Sequence, residues 1–347
     1  MKNEVNHLYV FNLSTDSSNG LLAFTQDWVK AFSQTMEHVT VISTWVGKNE
    51  LPNTISVTQV GGGDLIHRFK GIVILMIEAI KIVKNRKNAI VFHHMSPRTA
   101  VILGPIFRLF RIKQGLWYSH SNRTLELLIA EKFTNRIFSS TPEALPLKSN
   151  KARFTGHGIL VEKFKFREGS DRKMAILSLG RIAPIKKNEY LIDAISKSKR
   201  DSKEVHLVGP VDGSNGYLEK IMKYGLERGV KVFHLGEVSH SGIQEILASY
   251  AICYTGNPNT VDKSVIEGAL CGTFTLASQE FVLNQTGMTK ILEIAGLPFT
   301  EDLTIQIENL DSIAGRKDLR AILGKYAAEQ NSVLLTTQKI IEEIRKS

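Results

Sequence analysis

Asp262 and Glu267 are the side chains whose setting could do chemistry on an anion. Both lie in CYTGNPNTVDKSVIEGALCGTFTLAS, residues 253–278. An apolar segment at 250–254 runs into a Gly/Asn/Pro loop at 256–259. A helix is expected over 263–271, then Gly272 and an apolar strand over 273–277. Asp262 occupies the helix N-cap position, with its carboxylate free to accept from the first exposed backbone N–H groups. A helix N-terminus facing the carboxyl end of a strand favours anions, because open amides and the helix dipole point the same way. Glu267, one turn into the helix, is close to the same mouth. The stretch fits a phosphate-and-ribose site, and it also fits an ordinary strand–loop–helix unit with an acidic first turn.

The elements that would position these residues follow from hydrophobic patterning. Residues 7–13 (HLYVFNL) read as a strand, 14–20 as a loop and 21–33 as a helix with Leu22, Trp28, Val29 and Phe32 at helical spacing. Residues 39–44 form the next strand. Gly20 stands at the loop-to-helix junction, where a doubly wound sheet keeps its ligand crevice. Residues 69–84 read as a helix that is apolar nearly all round, the pattern of a helix packed against a sheet. Residues 101–111 (VILGPIFRLFR) form a helix with Arg108 and Arg111 beside Phe107 and Phe110, which suits a membrane interface and an ordinary amphipathic surface alike. Strands follow at 89–92, 115–118 and 136–140, the second running into Ser119, His120, Ser121 and Asn122. Residues 154–166, with glycines on either side of His157, together with the charged stretch 168–173, read as an interdomain linker.

The alternation then restarts. Strands at 174–179, 205–208 and 230–235 each end at a glycine (Gly180, Gly209 and Gly236), with helices expected at 188–196, 216–228, 243–249, 305–314 and 319–344. Glycine at a strand end allows a sharp turn and close approach of a ligand to the backbone. The fold class expected is α/β, with two Rossmann-like domains facing each other across a cleft. The first covers 1–165, rejoined by the C-terminal helix at about 325–347, and the second covers 166–325.

Composition is that of an ordinary globular chain of 347 residues, 43% hydrophobic and 22% charged. Cys253 and Cys271 both sit in apolar contexts and read as small core residues in a reducing compartment. No signal peptide is read at the N-terminus, and the longest apolar run is too short to span a bilayer. The formal charge of +10 is one-sided: residues 1–165 carry 21 Lys+Arg against 11 Asp+Glu, and residues 64–153 carry 16 against 5. Such a domain suggests an anionic partner such as a membrane surface or phosphate-bearing lipid, or else a solvated basic face. No recognition-helix or aromatic RNA motif accompanies the charge, so nucleic acid is not the expected partner.

From residue 174 to 277 the chain resembles the retaining glycosyltransferases of family 4, which have the GT-B fold. Leu179-Gly180-Arg181 with Pro184, Lys186 and Leu191-Ile192-Asp193-Ala194 resembles the family's first segment. His206-Leu207-Val208-Gly209, Val232 through Val238, and Glu267-Gly268-Ala269-Leu270-Cys271-Gly272 follow in the family's order. The likeness is looser in the N-terminal half, at Asn19-Gly20, the strand into His120, and Gly156-His157-Gly158 with Phe164.

The resemblance implies transfer of a sugar from a nucleotide-diphosphate sugar to a glycan or polyprenyl-phosphate-linked acceptor, with retention, at the cytoplasmic face of a membrane. Arg181 and Lys186 are the cations expected to stabilise the departing diphosphate. Glu267 would accept from the ribose hydroxyls as an ionised carboxylate, and His120 would approach the transferred sugar. The backbone at Asp262, Lys263 and Ser264 would face the phosphates, and Gly20 would approach the donor phosphate or the acceptor. Gly236 and Val238 would border the base, and Gly180 and Gly209 belong to the same donor site. No metal or other cofactor is implied, and no Asp-x-Asp occurs. The family places a second Glu eight residues before the one at Glu267; this chain has Asn259 there, with Thr260-Val261-Asp262 in place of Gly-Phe-Gly. Asn259 keeps hydrogen-bonding capacity but brings no charge. That departure leaves open a different donor sugar or a catalytically weakened protein. A nucleotide-sugar epimerase of the same fold, which the missing carboxylate at 259 disfavours, and a catalytically inactive binding subunit are the alternatives.

Overall fold

The computed structural model describes residues 6–19, 22–62, 65–166, 171–213, 216–239 and 242–347, the side chains of 65–68 excepted. Gly20 and Leu21, and residues 168–170 of the expected linker, lie outside the described residues. The chain forms two compact units: 1–160 with 332–347, and 161–331.

The first unit is built on seven strands, β1 (His7–Thr15), β2 (His38–Val46), β3 (Ser56–Gln59), β4 (Ala89–His94), β5 (Lys113–Trp117), β6 (Arg136–Ser139) and β7 (Ala152–Phe154). They pair in the order β3-β2-β1-β4-β5-β6-β7, every pair parallel. Helices α1 (Thr25–Ser33), α2 (Leu65–Lys84), α3 (Pro97–Leu109) and α4 (Leu125–Phe133) connect them. Successive residues of β1 feed opposite faces, as the pleat requires. Leu8 and Val10 pack with Trp28, Val29 and Phe32 of α1, and Tyr9 and Phe11 with Leu75, Ala79 and Ile82 of α2 and Leu103 and Phe107 of α3. Apolar residues on both faces explain why these strands read as continuous hydrophobic runs.

The second unit has five parallel strands, β8 (Lys173–Leu179), β9 (Glu204–Val208), β10 (Lys231–His234), β11 (Tyr250–Tyr254) and β12 (Phe274–Leu276), in the order β10-β9-β8-β11-β12. Its helices are α5 (Asn188–Lys197), α6 (Tyr217–Glu227), α7 (Ile243–Ala248), α8 (Lys263–Leu270), α9 (Glu280–Thr286), α10 (Met288–Ala295), α11 (Leu303–Ile313) and α12 (Lys317–Asn331). The strand order reverses between β8 and β11, and a doubly wound sheet opens its crevice at the carboxyl ends of such a pair.

The structure adds the short edge strand β3, and it differs from the sequence reading at the C-terminal helix and at the linker. The single helix expected over 319–344 is two, α12 and α13 (Val333–Lys346), broken at Ser332. After the break, α13 packs Val333, Ile340, Ile341 and Ile344 into the first unit's core. Its Glu343 accepts hydrogen bonds from Arg153 at 2.9 Å and Arg136 at 3.4 Å. Residues 154–166 are not a free linker: Phe154 belongs to β7, and Trp28 Nε1 donates to Gly158 O at 2.9 Å. The outward side of α2 is apolar as well as the inward one, in keeping with a helix that is apolar nearly all round, with Phe69, Ile72 and Ile80 exposed.

Gly158 has φ +63°, and a Cβ there would lie 2.3 Å from Trp28 Cζ2. Gly158→Ala is therefore expected to lose roughly 2 kcal/mol or more of stability, from strained backbone and a crowded indole together. Urea denaturation measures it; an unchanged midpoint would show that the indole has room to retreat.

Candidate functional site

The carboxyl ends of three neighbouring strands in the second unit are edged with glycine. Gly180 follows β8 with φ +130°, Gly209 follows β9 with φ +137°, and Gly236 lies just beyond β10 with φ +79°. Gly180 N donates to Val208 O at 2.8 Å and Gly209 N to Gly236 O at 2.9 Å, so the backbone continues across the strand ends. A Cβ at Gly209 would stand 2.2 Å from Gly180 O, a clash of backbone that no rotamer relieves. Val238, half-buried, lies two residues beyond Gly236.

Past Gly180 the chain makes one 3₁₀ turn, Pro184–Lys186, before α5 begins. That turn brings Lys186 back over the strand end. Its Nζ lies 3.2 Å from where a Gly180 Cβ would be, and 2.7 Å from Asp262 Oδ2. The two side chains are only 13% and 16% exposed. Arg181 is exposed, and its guanidinium has no hydrogen bond or ion pair among the described residues.

Asp262 stands at the N-cap of α8 as expected, but its carboxylate does not cap the helix. It accepts instead from Lys186 Nζ, from Thr255 Oγ1 and, at 3.3 Å, from Asn257 Nδ2. An ammonium donor outcompetes neutral amides for a carboxylate, which accounts for the change of partner. Ser264 Oγ donates to Leu179 O at 3.0 Å, tying the first turn of α8 to the end of β8. Gly256 closes the arrangement, since a Cβ there would be 2.3 Å from both Lys186 O and the Tyr254 hydroxyl.

Glu267 is half-buried, and desolvation pushes its carboxyl up to about 7. The ammonium groups of Lys263, one turn earlier on α8, and of Lys163 pull the other way. Its side chain has no hydrogen bond among the described residues. Burial thus disfavours the ionised form that the expected ribose role needs. Asn259 is exposed at the loop tip, with only its backbone N–H held, by Asn257 Oδ1 at 3.2 Å.

His120 belongs to the first unit, in the exposed loop after β5, where its N–H donates to Ala144 O. Its Nδ1 accepts from Asn122 N at 3.0 Å, which puts the ring proton of the neutral imidazole on Nε2. The second unit thus gathers Gly180, Arg181, Lys186, Gly209, Gly236, Val238, Asp262, Lys263, Ser264 and Glu267 around the carboxyl ends of its strands and α8. Asn259 sits at the edge, and Gly20 lies outside the described residues. Sequence reasoning missed Asn257 and Thr255, which hold Asp262. The Asn-x-Asn spacing at 257–259, an Asx turn, was the available signal. A cavity of about 530 Å³ beside Gly256 is lined by Lys187, Tyr190, Ser278 and Thr304 but by none of the predicted residues. Among the described residues, no three His, Cys, Asp or Glu side chains are placed to share a metal ion.

Comparison with known proteins rests on structure. No family model matches the sequence, and no curated protein matches it. Solved structures do match, over both units. The Anabaena protein HepE, solved with UDP, has a TM-score of 0.70 at 12% identity, covering 99% of this chain and 100% of that one. A glycosyltransferase from Rickettsia africae has a TM-score of 0.68 at 15% identity, covering 99% of each chain. A candidate UDP-N-acetylglucosamine 2-epimerase from Listeria monocytogenes matches less well, with a TM-score of 0.54 at 12% identity over 99% of this chain and 96% of that one. The chain has the GT-B fold of glycosyltransferases.

The carboxyl of Glu267 makes stability depend on pH. It titrates near 4.5 in the unfolded chain and near 7 in the folded one, so the folded state keeps a proton that the unfolded state has lost. Its stabilising effect is full below the unfolded value and is lost as pH rises to the folded value, with a slope of up to about 1.4 kcal/mol per pH unit. Glu267→Gln should remove that slope. Denaturation midpoints measured from about pH 5 to about pH 7 test this; the same slope in both proteins would contradict it.

Proposed function

We propose that the protein is a glycosyltransferase that takes its sugar from a nucleotide-diphosphate donor bound at the carboxyl ends of β8, β9 and α8's first turn. The observation that carries the reading is the position of Lys186 Nζ, drawn over the Gly180 backbone and held 2.7 Å from Asp262. A fixed ammonium beside bare backbone is what a departing diphosphate requires. Charge develops on its oxygens in the transition state, and a preorganised cation in a partly dry site stabilises it without rearrangement. Arg181, whose guanidinium has no partner among the described residues, supplies a second, bidentate cation. HepE, of like fold, was solved with UDP and with UDP-glucose, which supports a donor of this class.

The remaining roles follow from the same placement. Glu267 would accept from the ribose hydroxyls in its ionised form, so donor binding would favour loss of its proton. Lys263 and the backbone at Ser264 would meet phosphate, while Gly236 and Val238 would border the base. In this reading the cations Arg181 and Lys186 do the work without a divalent ion. The acceptor is a glycan or a polyprenyl-phosphate-linked glycan, transfer retains configuration, and the protein works in the cytoplasm. The epimerase reading finds support in the fold of the Listeria protein and in a carboxyl that titrates near 7. NMR of a nucleotide sugar incubated with the protein alone separates the two, since only an epimerase would change its stereochemistry.

Two variants test the site. Arg181 is exposed, so Arg181→Ala should leave the melting temperature unchanged while lowering transfer roughly 100-fold. Full transfer by this variant would remove Arg181 from the mechanism. Asp262 competes with a diphosphate for Lys186. Asp262→Asn should therefore bind UDP about tenfold more tightly, the effect of one ion pair's worth of competition. Calorimetric titration reads it, and equal or weaker binding would show that Asp262 positions Lys186 without opposing the ligand.

A further inference from the structure

The outward face of α2 has the wrong chemistry for water. Gly71, Leu75, Glu78, Ala79 and Ile82 form the inward side and are buried. On the opposite side Phe69, Ile72, Val73, Met76, Ile77 and Ile80 are exposed, Phe69 by 69% and Ile72 by 58%. At 100° per residue these six fall within one stripe less than half the circumference wide, running about 16 Å along the axis. A helix on the surface of a globular protein ordinarily turns polar residues to this side.

Among the described residues the stripe is bordered by positive charge. Lys70, Lys81 and Lys84 on the helix, with Arg86 and Lys87 just beyond it, are exposed. The one acidic residue of α2, Glu78, points inward and accepts from Lys81 at 2.7 Å. α3, which packs on the same face of the sheet, adds exposed Ile102, Leu109 and Phe110 with Arg108 and Arg111.

We propose that this face of the first unit docks on an anionic bilayer surface. α2 lies in the interface, its six apolar side chains enter the boundary between headgroups and acyl chains, and the flanking lysines and arginines meet lipid phosphates. No helix among the described residues is long and apolar enough to cross a membrane, so the contact is peripheral. Charge selects this occupant over a second copy of the chain. A twofold pairing through α2 would set basic flank against basic flank, with no outward acidic residue on the helix to meet them. The proposal holds whichever donor the second unit binds.

Cosedimentation of the full chain with vesicles tests it. The protein should pellet with mixed phosphatidylcholine–phosphatidylglycerol vesicles, pellet less with phosphatidylcholine alone, and be released as salt is raised. Met76→Glu with Ile80→Glu should lower partitioning at least tenfold at an unchanged melting temperature. Lys84→Gln with Lys87→Gln should lower it chiefly on anionic vesicles. The proposal is overturned if the unaltered protein stays in the supernatant with anionic vesicles, or if the Met76→Glu/Ile80→Glu protein pellets equally well. It is also overturned if sedimentation without lipid shows a dimer that this double variant makes monomeric. The thermal shift produced by UDP is read on every variant, so failure at the membrane and failure of the donor site give different results.

Discussion

The ion pair between Lys186 and Asp262 holds the second unit's strand ends in one arrangement. It links the turn after β8 to the loop after β11, the two strands between which the sheet order reverses. Desolvating both groups is costly, and a buried pair returns that cost only where further hydrogen bonds complete it. Here Thr255 and Asn257 complete the carboxylate. Removing either charge would leave the other facing protein, so the pair fixes geometry more than it adds stability. Its position at the open end of the sheet, instead of in the core, gives that fixed ammonium a use beyond structure.

The glycine edge depends on this constraint and supports it in turn. Gly209 must lack a side chain because Gly180 O lies against it, and Gly256 because Lys186 O does. Glu267, half-buried and with no side-chain hydrogen bond among the described residues, is desolvated, a setting that raises its pKa. One unit thus carries a cation already neutralised by a neighbour and a carboxyl partly neutralised by a proton. Both are charges held back until something of the right polarity arrives.

Much of the fold could be read in the chain because parallel strands covered on both faces leave unbroken apolar runs, as at β1, β4 and β11. The strand-end glycines and the N-cap position of Asp262 were equally visible. What could not be read depends on direction and distance. Hydrophobic periodicity shows that α2 is apolar nearly all round, yet not which side meets the sheet. The four-residue edge strand β3 has no apolar run to mark it. The break at Ser332 interrupts a continuous helical pattern, and only packing of α13 on the first unit explains it. The partner of Asp262 is 76 residues away in sequence, so no local rule could replace the cap with the ion pair.

The departure at Asn259 takes on a different meaning beside that pair. The resemblance expects a carboxylate at 259 and flexible glycines at 260 and 262; this chain has a neutral, exposed amide at 259 and an aspartate at 262. Negative charge has in effect moved three residues along the loop, from its tip to the helix N-terminus. At the tip it would have met a sugar's hydroxyls. At 262 it meets Lys186, the group that a diphosphate would also meet in the proposed reading. The substitution and the ion pair are then one change in where the loop keeps its charge, and its consequence falls on the phosphate end of a donor at least as much as on the sugar end.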